Sequence, residues 1–340
     1  MSVIAADMQL YGAAVMPEDD TTANIGGAVD LGTKVVHVAL AAADTIDVVS
    51  DDAGDTDQVY TITGYDASGS KVSEVMPTLG GLVLKNGTQS FERIVKIVQT
   101  AGSALAGTVT FSRFTGGSTI VTMESAADAA AGVMIDTVRT PFYGLASDPA
   151  AAKAAYEKVF FRNNNALTTL TDAVIRLMDG PENTTVTTTV DVNSAAGQKV
   201  LSVAATTGFV AGQSVVVNHE GARNEVHEIA SVQAAVSLTM VDNLKYAHTL
   251  AQADEVSRCK VEFELEEELD GTDTAANRVT APAAYAGYSW TAREKTVRGA
   301  AGSENHTAGA VQGIWLKVSL AAGDDPVKTS IEARESGNTV

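Results

Sequence analysis

Residues 58–76, QVYTITGYDASGSKVSEVM, decide the fold. Gln58 to Thr63 and Lys71 to Met76 alternate apolar with polar side chains, the period of a strand with one buried face. Between them Gly64-Tyr65-Asp66-Ala67-Ser68-Gly69 is dense in turn formers, so the stretch reads as a hairpin. Working outward, Lys34 to Leu40 and Thr45 to Ser50 alternate in the same way. Phe91 to Thr100 and Gly107 to Phe114 read as another pair, around the Gly/Ala/Ser loop at Ala101 to Ala106. Strands at this spacing, with no helical period between them, predict an antiparallel sandwich over residues 31–145. Upstream, residues 1–30 carry Gly12, Pro17, Gly26 and Gly27 and read as an extended arm that buries little of itself.

Ile120 to Ala155 is an Ala-rich, Gly-punctuated connection, with short helices expected at Ala126 to Ala131 and Pro149 to Tyr156. Strand patterns resume at Tyr156 to Arg162 and Leu167 to Leu177. From Thr184 to Arg258 short strands follow one another closely: Val186 to Val192, Lys199 to Val203, Ser214 to Asn218, Asn224 to Val232 and Ser237 to Val241. Each has its own inward face, so residues 184–258 read as a small β domain inserted into a second sandwich. That sandwich comprises residues 146–183 and 259–340, closing with strands at Gly313 to Leu320 and Thr329 to Ala333. The expectation is a mainly β chain of two antiparallel β-sandwich domains, the second interrupted by the insertion. No repeat of fixed period is present, which excludes a solenoid.

The 340 residues are 45% hydrophobic but only 5% aromatic, so the apolar content is mostly small and branched aliphatic. The net charge of −19 is spread along the chain and repels phosphate, which argues against direct nucleic-acid binding. The same charge keeps an Ala- and Val-rich surface soluble; meeting a basic partner or binding cations is the other use it could serve. One cysteine, Cys259, excludes an internal disulfide framework and a Cys-based zinc site, and its alternating apolar context predicts a buried thiol. Met1 to Leu10 lacks the basic and apolar regions of a signal peptide, and no apolar run is long enough to span a membrane.

Candidate chemistry is sparse. No phosphate-binding glycine loop occurs, since Gly26-Gly27 and Gly80-Gly81 lack the spacing, and there is no nucleophile elbow. No cofactor is implied. Asp51, Asp52, Asp55 and Asp57, clustered around Gly54, are the best candidates for a bound Ca²⁺, against a plain hairpin tip. His219-Glu220 and His227-Glu228 are suggestive pairs but lack the second His of a zinc helix, and they read as polar hairpin positions facing water. Glu262, Glu264 and Glu266 fall on one face of a strand; carboxylates can serve glycoside hydrolysis, but an exposed charged face guarding a sheet edge is the simpler reading. Tyr285, Tyr288 and Trp290 could form a carbohydrate-stacking platform or pack on the sandwich, while Trp315 reads as core.

Three stretches together resemble the accessory structural proteins of tailed-bacteriophage virions: DMQLYG (7–12) with MPEDD (16–20) and GGA (26–28), then YEKVFFRNNN (156–165), then QGIWLKVSLAAG (312–323). The inserted unit, with GFVAGQ (208–213) and YAH (246–248), is similar to small β modules within phage head and tail proteins. The resemblance implies a non-enzymatic tail, baseplate or head-associated subunit, made in the host cytoplasm and built into the virion. Its partners would be copies of itself and other virion proteins. A host-surface or carbohydrate-binding module is the alternative.

Overall fold

The computed structural model describes residues 7–36, 38–78, 80, 82–145, 151–177, 186–217, 225–252, 254–259, 261–283, 290, 295–299, 303–320, 322 and 333–339. The chain is mainly β, in several sheets, and among the described residues helical structure is confined to short 3-10 turns such as Leu250–Gln252. The expected helix at Pro149 to Tyr156 is absent where the chain is described: Lys153 already opens the strand Lys153–Asn163. That strand pairs along its length with Val311–Leu320, from Lys153 opposite Leu320 to Arg162 opposite Val311, and this ladder overrides the helical propensity of its alanines. Ala126 to Ala131 forms turns rather than a helix.

The largest sheet has eleven strands and draws on both ends of the described chain. Its order runs Val261–Leu269, Val311–Leu320, Lys153–Asn163, Met8–Val15, Ile25–Val35, Thr137–Arg139, Phe91–Ala101, Val59–Tyr65 and Lys71–Pro77, with two strands attached to the side. Residues 8–15 therefore do not form a free arm. They lie mid-sheet, bonded to Lys153–Asn163 on one side and Ile25–Val35 on the other, with Tyr11 and Ala13 buried. The glycines that suggested an arm are packing positions. A methyl group on Gly26, whose φ is 98°, would meet the Trp315 ring at 3.0 Å and the Asp273 carbonyl at 2.7 Å.

Facing one end of this sheet is a second of four strands, in the order Thr119–Met123, Val109–Arg113, Ile46–Ser50 and Lys85–Asn86. Between them lies a core that includes Ile46, Val48, Tyr60, Ile62, Phe91, Ile97, Val109, Phe111 and Met123. Tyr60 and Phe111 meet edge to face across it, with centroids 5.2 Å apart and planes at 84°. The expected pairing of 91–100 with 107–114 does not occur: Phe91–Ala101 joins the large sheet and Val109–Arg113 the facing one. The loop between them carries the chain across the core, so the two apolar faces oppose each other instead of lying side by side. Gly102 enables the crossing, with φ at 99° and the Asp57–Gln58 backbone within 2.8 Å of where a Cβ would sit.

At the other end of the large sheet, Lys295–Thr296, Leu170–Leu177 and Ala333–Thr339 form a three-stranded sheet. Ala173 and Ile175 from it share a core with Val159, Phe161, Val261, Phe263, Leu265, Ile314, Leu316 and the buried Cys259. The remaining six strands, all between Thr187 and Arg258, pair only with one another. They enclose a separate core of Val190, Leu201, Phe209, Val215, Ile229, Leu238, Met240, Leu244 and Val256. Local hairpins such as Glu225–Gln233 with Ser237–Met240 account for that self-containment.

Candidate functional site

Among the described residues, chemistry-bearing side chains gather in buried polar clusters, of which three are the largest, and in one loop. The first cluster lies on the strand Val261–Leu269. Alternation places Val261, Phe263 and Leu265 in the apolar core and Glu262, Glu264 and Glu266 on the opposite face. That face is not exposed, contrary to the sequence reading: the three glutamates are 8%, 0% and 1% accessible. Each has a cation. Glu262 pairs with Lys317 at 2.8 Å, Glu264 with Lys295 at 2.6 Å and Arg298 at 3.1 Å, and Glu266 with Lys158. Lys158 also donates to the carbonyls of Gly27 (2.8 Å), Gly271 (3.2 Å) and Asp273 (3.2 Å), so its ammonium is saturated. Burial pushes the Lys158 amine down and the Glu266 carboxyl up, against the pull of their mutual attraction. A hydrolytic pair needs one carboxyl free to give a proton and another free to take one or attack; these three are each tied to a cation.

In the second cluster Glu157 lies between two buried guanidinium groups. Arg139 Nη2 donates to its Oε1 at 3.1 Å, Arg278 Nη2 lies 3.5 Å from Oε2, and the Phe142 amide donates to Oε2 at 2.7 Å. Both arginines also donate to the Pro17 carbonyl, at 3.0 and 2.7 Å. Burial raises the Glu157 carboxyl above its ordinary range even with both arginines beside it. The cluster ties the 16–20 turn to residues 139–143, 157 and 278.

The third lies in the unit of residues 187–258. Glu225, His227 and Ile229 share the inward face of Glu225–Gln233, so His227 is buried rather than facing water. His248 Nε2 sits 2.5 Å from Glu225 Oε1, and its Nδ1 sits 2.9 Å from Asp254 Oδ2. Sequence reasoning passed over Glu225, His248 and Asp254. Alternation with Ile229 marks Glu225 and His227 as inward, but nothing local points to His248 or Asp254. A smaller relative is His306, buried, with Nδ1 2.7 Å from Glu335 Oε1 and Nε2 2.9 Å from the Ala310 carbonyl.

The Asp51 to Asp57 loop does not assemble its carboxylates around one point. Asp55, fully buried, accepts from Ser50 Oγ, Gln58 Nε2 and the amides of Ala106 and Gly107. Asp51 accepts from the Thr108 amide, Asp52 from the Gly54 amide, and Asp57 from Ser103. Among the described residues no group of three or more His, Cys, Asp or Glu side chains is arranged to hold a metal ion. His37, His219, Glu220, Tyr285 and Tyr288 lie outside the described residues. Trp290 packs against Tyr156, centroids 5.4 Å apart, and Trp315 is fully buried in the core. Among the described residues no helix is long and apolar enough to cross a membrane.

No protein-family model matches the chain, and no curated protein matches it.

Proposed function

We propose that the chain is a non-enzymatic structural subunit of a tailed-phage virion, acting through contacts with copies of itself and with other virion proteins. It would be synthesised in the host cytoplasm and carried in the particle. The observation that bears most weight is the use made of its reactive side chains. The carboxylates that sequence offers as catalysts, Glu262, Glu264 and Glu266, are buried in ion pairs with cations 31 to 108 residues away in sequence. These groups join distant segments, each carboxylate held by a buried or half-buried cation. The likeness of residues 7–28, 156–165 and 312–323 to virion accessory proteins points the same way.

In this reading the chain is two sandwiches that share the large sheet, antiparallel but for the parallel pairing of Ile25–Val35 with Thr137–Arg139, the second interrupted by the inserted domain of residues 184–258. Assembly needs surfaces that become buried on contact. Leu82, Val83 and Leu84 form such a feature, 74%, 49% and 47% exposed on a strongly acidic chain. Leu82 is held at φ 59°, a conformation unfavourable for a bulky side chain, so the turn presents this run at a conformational cost. Mass spectrometry of purified virions of the phage encoding the chain tests the proposal: the protein is expected in stoichiometric amount, and its absence would end the reading. Electron microscopy of the particle then separates a tail or baseplate position from a head-bound one by symmetry.

A further inference from the structure

The segment of residues 242–252 packs against the unit of residues 187–258. It carries Leu244, 1% accessible, into that unit's core. Its backbone is bonded to the facing chain at two points: Leu244 exchanges bonds with Gly197 and Gln198 at 2.8 Å each, and His248 exchanges bonds with Ser194 at 2.8 and 2.9 Å. The Glu225 carboxylate reaches into its bend, accepting the Lys245 amide at 2.7 Å and the Tyr246 amide at 3.3 Å.

Leu250 donates its amide to Asn193 Oδ1 at 2.9 Å, and a further tie runs through the His248 ring. A neutral imidazole has one N–H donor and one lone-pair acceptor, whereas an ionised carboxylate only accepts. Here both ring nitrogens face carboxylate oxygens, Glu225 Oε1 at 2.5 Å and Asp254 Oδ2 at 2.9 Å. Both contacts are satisfied only if both nitrogens carry hydrogen. With one proton removed, a ring lone pair would confront a carboxylate lone pair in a site where His248 is 0% and Asp254 2% accessible. Such a buried, unsatisfied contact is unfavourable, the more so where a charge is involved.

We infer that residues 242–252 are a proton-held latch, fastened to the inserted unit while His248 is an imidazolium and released when that proton is lost. Among the described residues the titratable groups facing the ring are Glu225 from the strand Glu225–Gln233 and Asp254 at the entry to Glu255–Arg258. His227 lies beyond Glu225, with Nε2 2.9 Å from Oε2 but off the hydrogen-bonding direction. The ion set of Glu225, Asp254 and His248 sums to −1 with the ring charged and −2 with it neutral, so loss of the proton sets two buried carboxylates against each other.

Burial by itself would push the His248 imidazole down. The hydrogen bonds and charges of Glu225 and Asp254 outweigh burial and hold it above the ordinary histidine value. Burial would also raise Glu225, but the His248 ring, the Lys245 amide and the neighbouring His227 ring hold it far below the usual carboxylate range. A group raised in the folded state contributes its full stability below its unfolded value, about 6.5 for histidine, and loses it as pH rises through the folded value. The latch therefore opens on the alkaline side, while Glu225 keeps its charge well into acid.

Hydrogen exchange of the full chain from pH 6 to 9, corrected for the intrinsic rate, tests this. Protection in peptides spanning 242–252 should fall by tenfold or more across the range, while protection of Phe91–Ala101 stays level. His248→Gln should weaken that protection at pH 6 and remove its pH dependence. Should that variant fail to fold, the His248 ring proton resonance of the wild-type chain decides the matter. A titration midpoint above the ordinary histidine value is expected; a midpoint at or below it, or full protection of 242–252 up to pH 9, overturns the latch.

Discussion

Gly313, on Val311–Leu320, lies directly against the Glu266 carboxylate, so a methyl group at position 313 would fall inside the Glu266 side chain. The missing side chain makes room for the acid that neutralises Lys158, 0% exposed beneath the Phe160 ring. Gly313→Ala is therefore expected to act as overpacking and as partial loss of the ion pair together. Glu266→Gln, which strands the ammonium, should cost about 3–5 kcal/mol by urea denaturation. Lys158→Met with Glu266→Leu should cost less than Glu266→Gln alone, since neither charge is left behind. A double variant as unstable as the sum of its singles would remove the coupling from this account.

A second relationship is energetic and non-additive. Arg139 and Arg278 share Glu157 and the Pro17 carbonyl, and the charge of Arg139 opposes that of Arg278. Replacing Glu157 by Gln should leave two buried guanidinium groups repelling each other, at about 3–5 kcal/mol. Adding Arg278→Met should then recover part of that loss. A double-mutant cycle should return a coupling of about 1–3 kcal/mol between positions 157 and 278, and a value near zero would mean that the pair does not act as a unit.

For the acidic loop, the geometry makes Asp55 a structural acceptor. Its four donors come from residues 50, 58, 106 and 107, which places it at the junction of two connections. Asp55→Ala should cost about 2–4 kcal/mol by stranding buried donors, each of which loses a charge-assisted bond. Asp51→Ala, at an exposed position with one backbone donor, should cost far less. Millimolar Ca²⁺ should leave the melting temperature of the wild-type chain unchanged. A Ca²⁺-dependent rise that Asp51→Ala abolishes would restore the loop as an ion site.

What sequence could and could not foretell follows the range of the contacts. The hairpin of residues 59–77 was legible because its signals are local: Asp66 accepts from Ser68 and Ser70 within one turn, and the two arms pair in register from Val59 opposite Pro77 to Tyr65 opposite Lys71. The hairpins between residues 187 and 258 were legible for the same reason. Alternation also put Glu262, Glu264 and Glu266 correctly on one face, but whether a polar face is wet or buried depends on what covers it. Here the cover is supplied by cations at positions 158, 295, 298 and 317, and no period in the strand encodes them. Gly12 and Gly26 misled in the opposite sense. A glycine that loosens a chain and a glycine that admits Thr33 or Trp315 look alike until the partner is in view. The latch histidine was hidden too, because Glu225 and Asp254 stand 23 and 6 residues from it in sequence.

The last strand, Ala333–Thr339, should be held by a proton of its own. His306 exchanges backbone bonds with Leu170, at 2.8 and 3.0 Å, beside the strand that pairs with Ala333–Thr339. Its Nε2 faces the Ala310 carbonyl and its Nδ1 faces Glu335, so with Glu335 ionised both contacts are satisfied only when both nitrogens donate and the ring is charged. Burial lowers this imidazole, but the bond and charge of Glu335 outweigh burial and hold it above the ordinary value. The resulting stability is complete below about pH 6.5 and declines as pH rises through the folded value. Thermal melts at pH 6, 7, 8 and 9 should show the decline, and proteolysis should reach the C-terminal strand first at the alkaline end. Glu335→Gln removes the charge that raises the ring while still offering Nδ1 a donor, so it should flatten this part of the profile and leave exchange in 242–252 as pH-dependent as before. Unchanged pH dependence at the C-terminal strand in Glu335→Gln would show that the pair does not hold it.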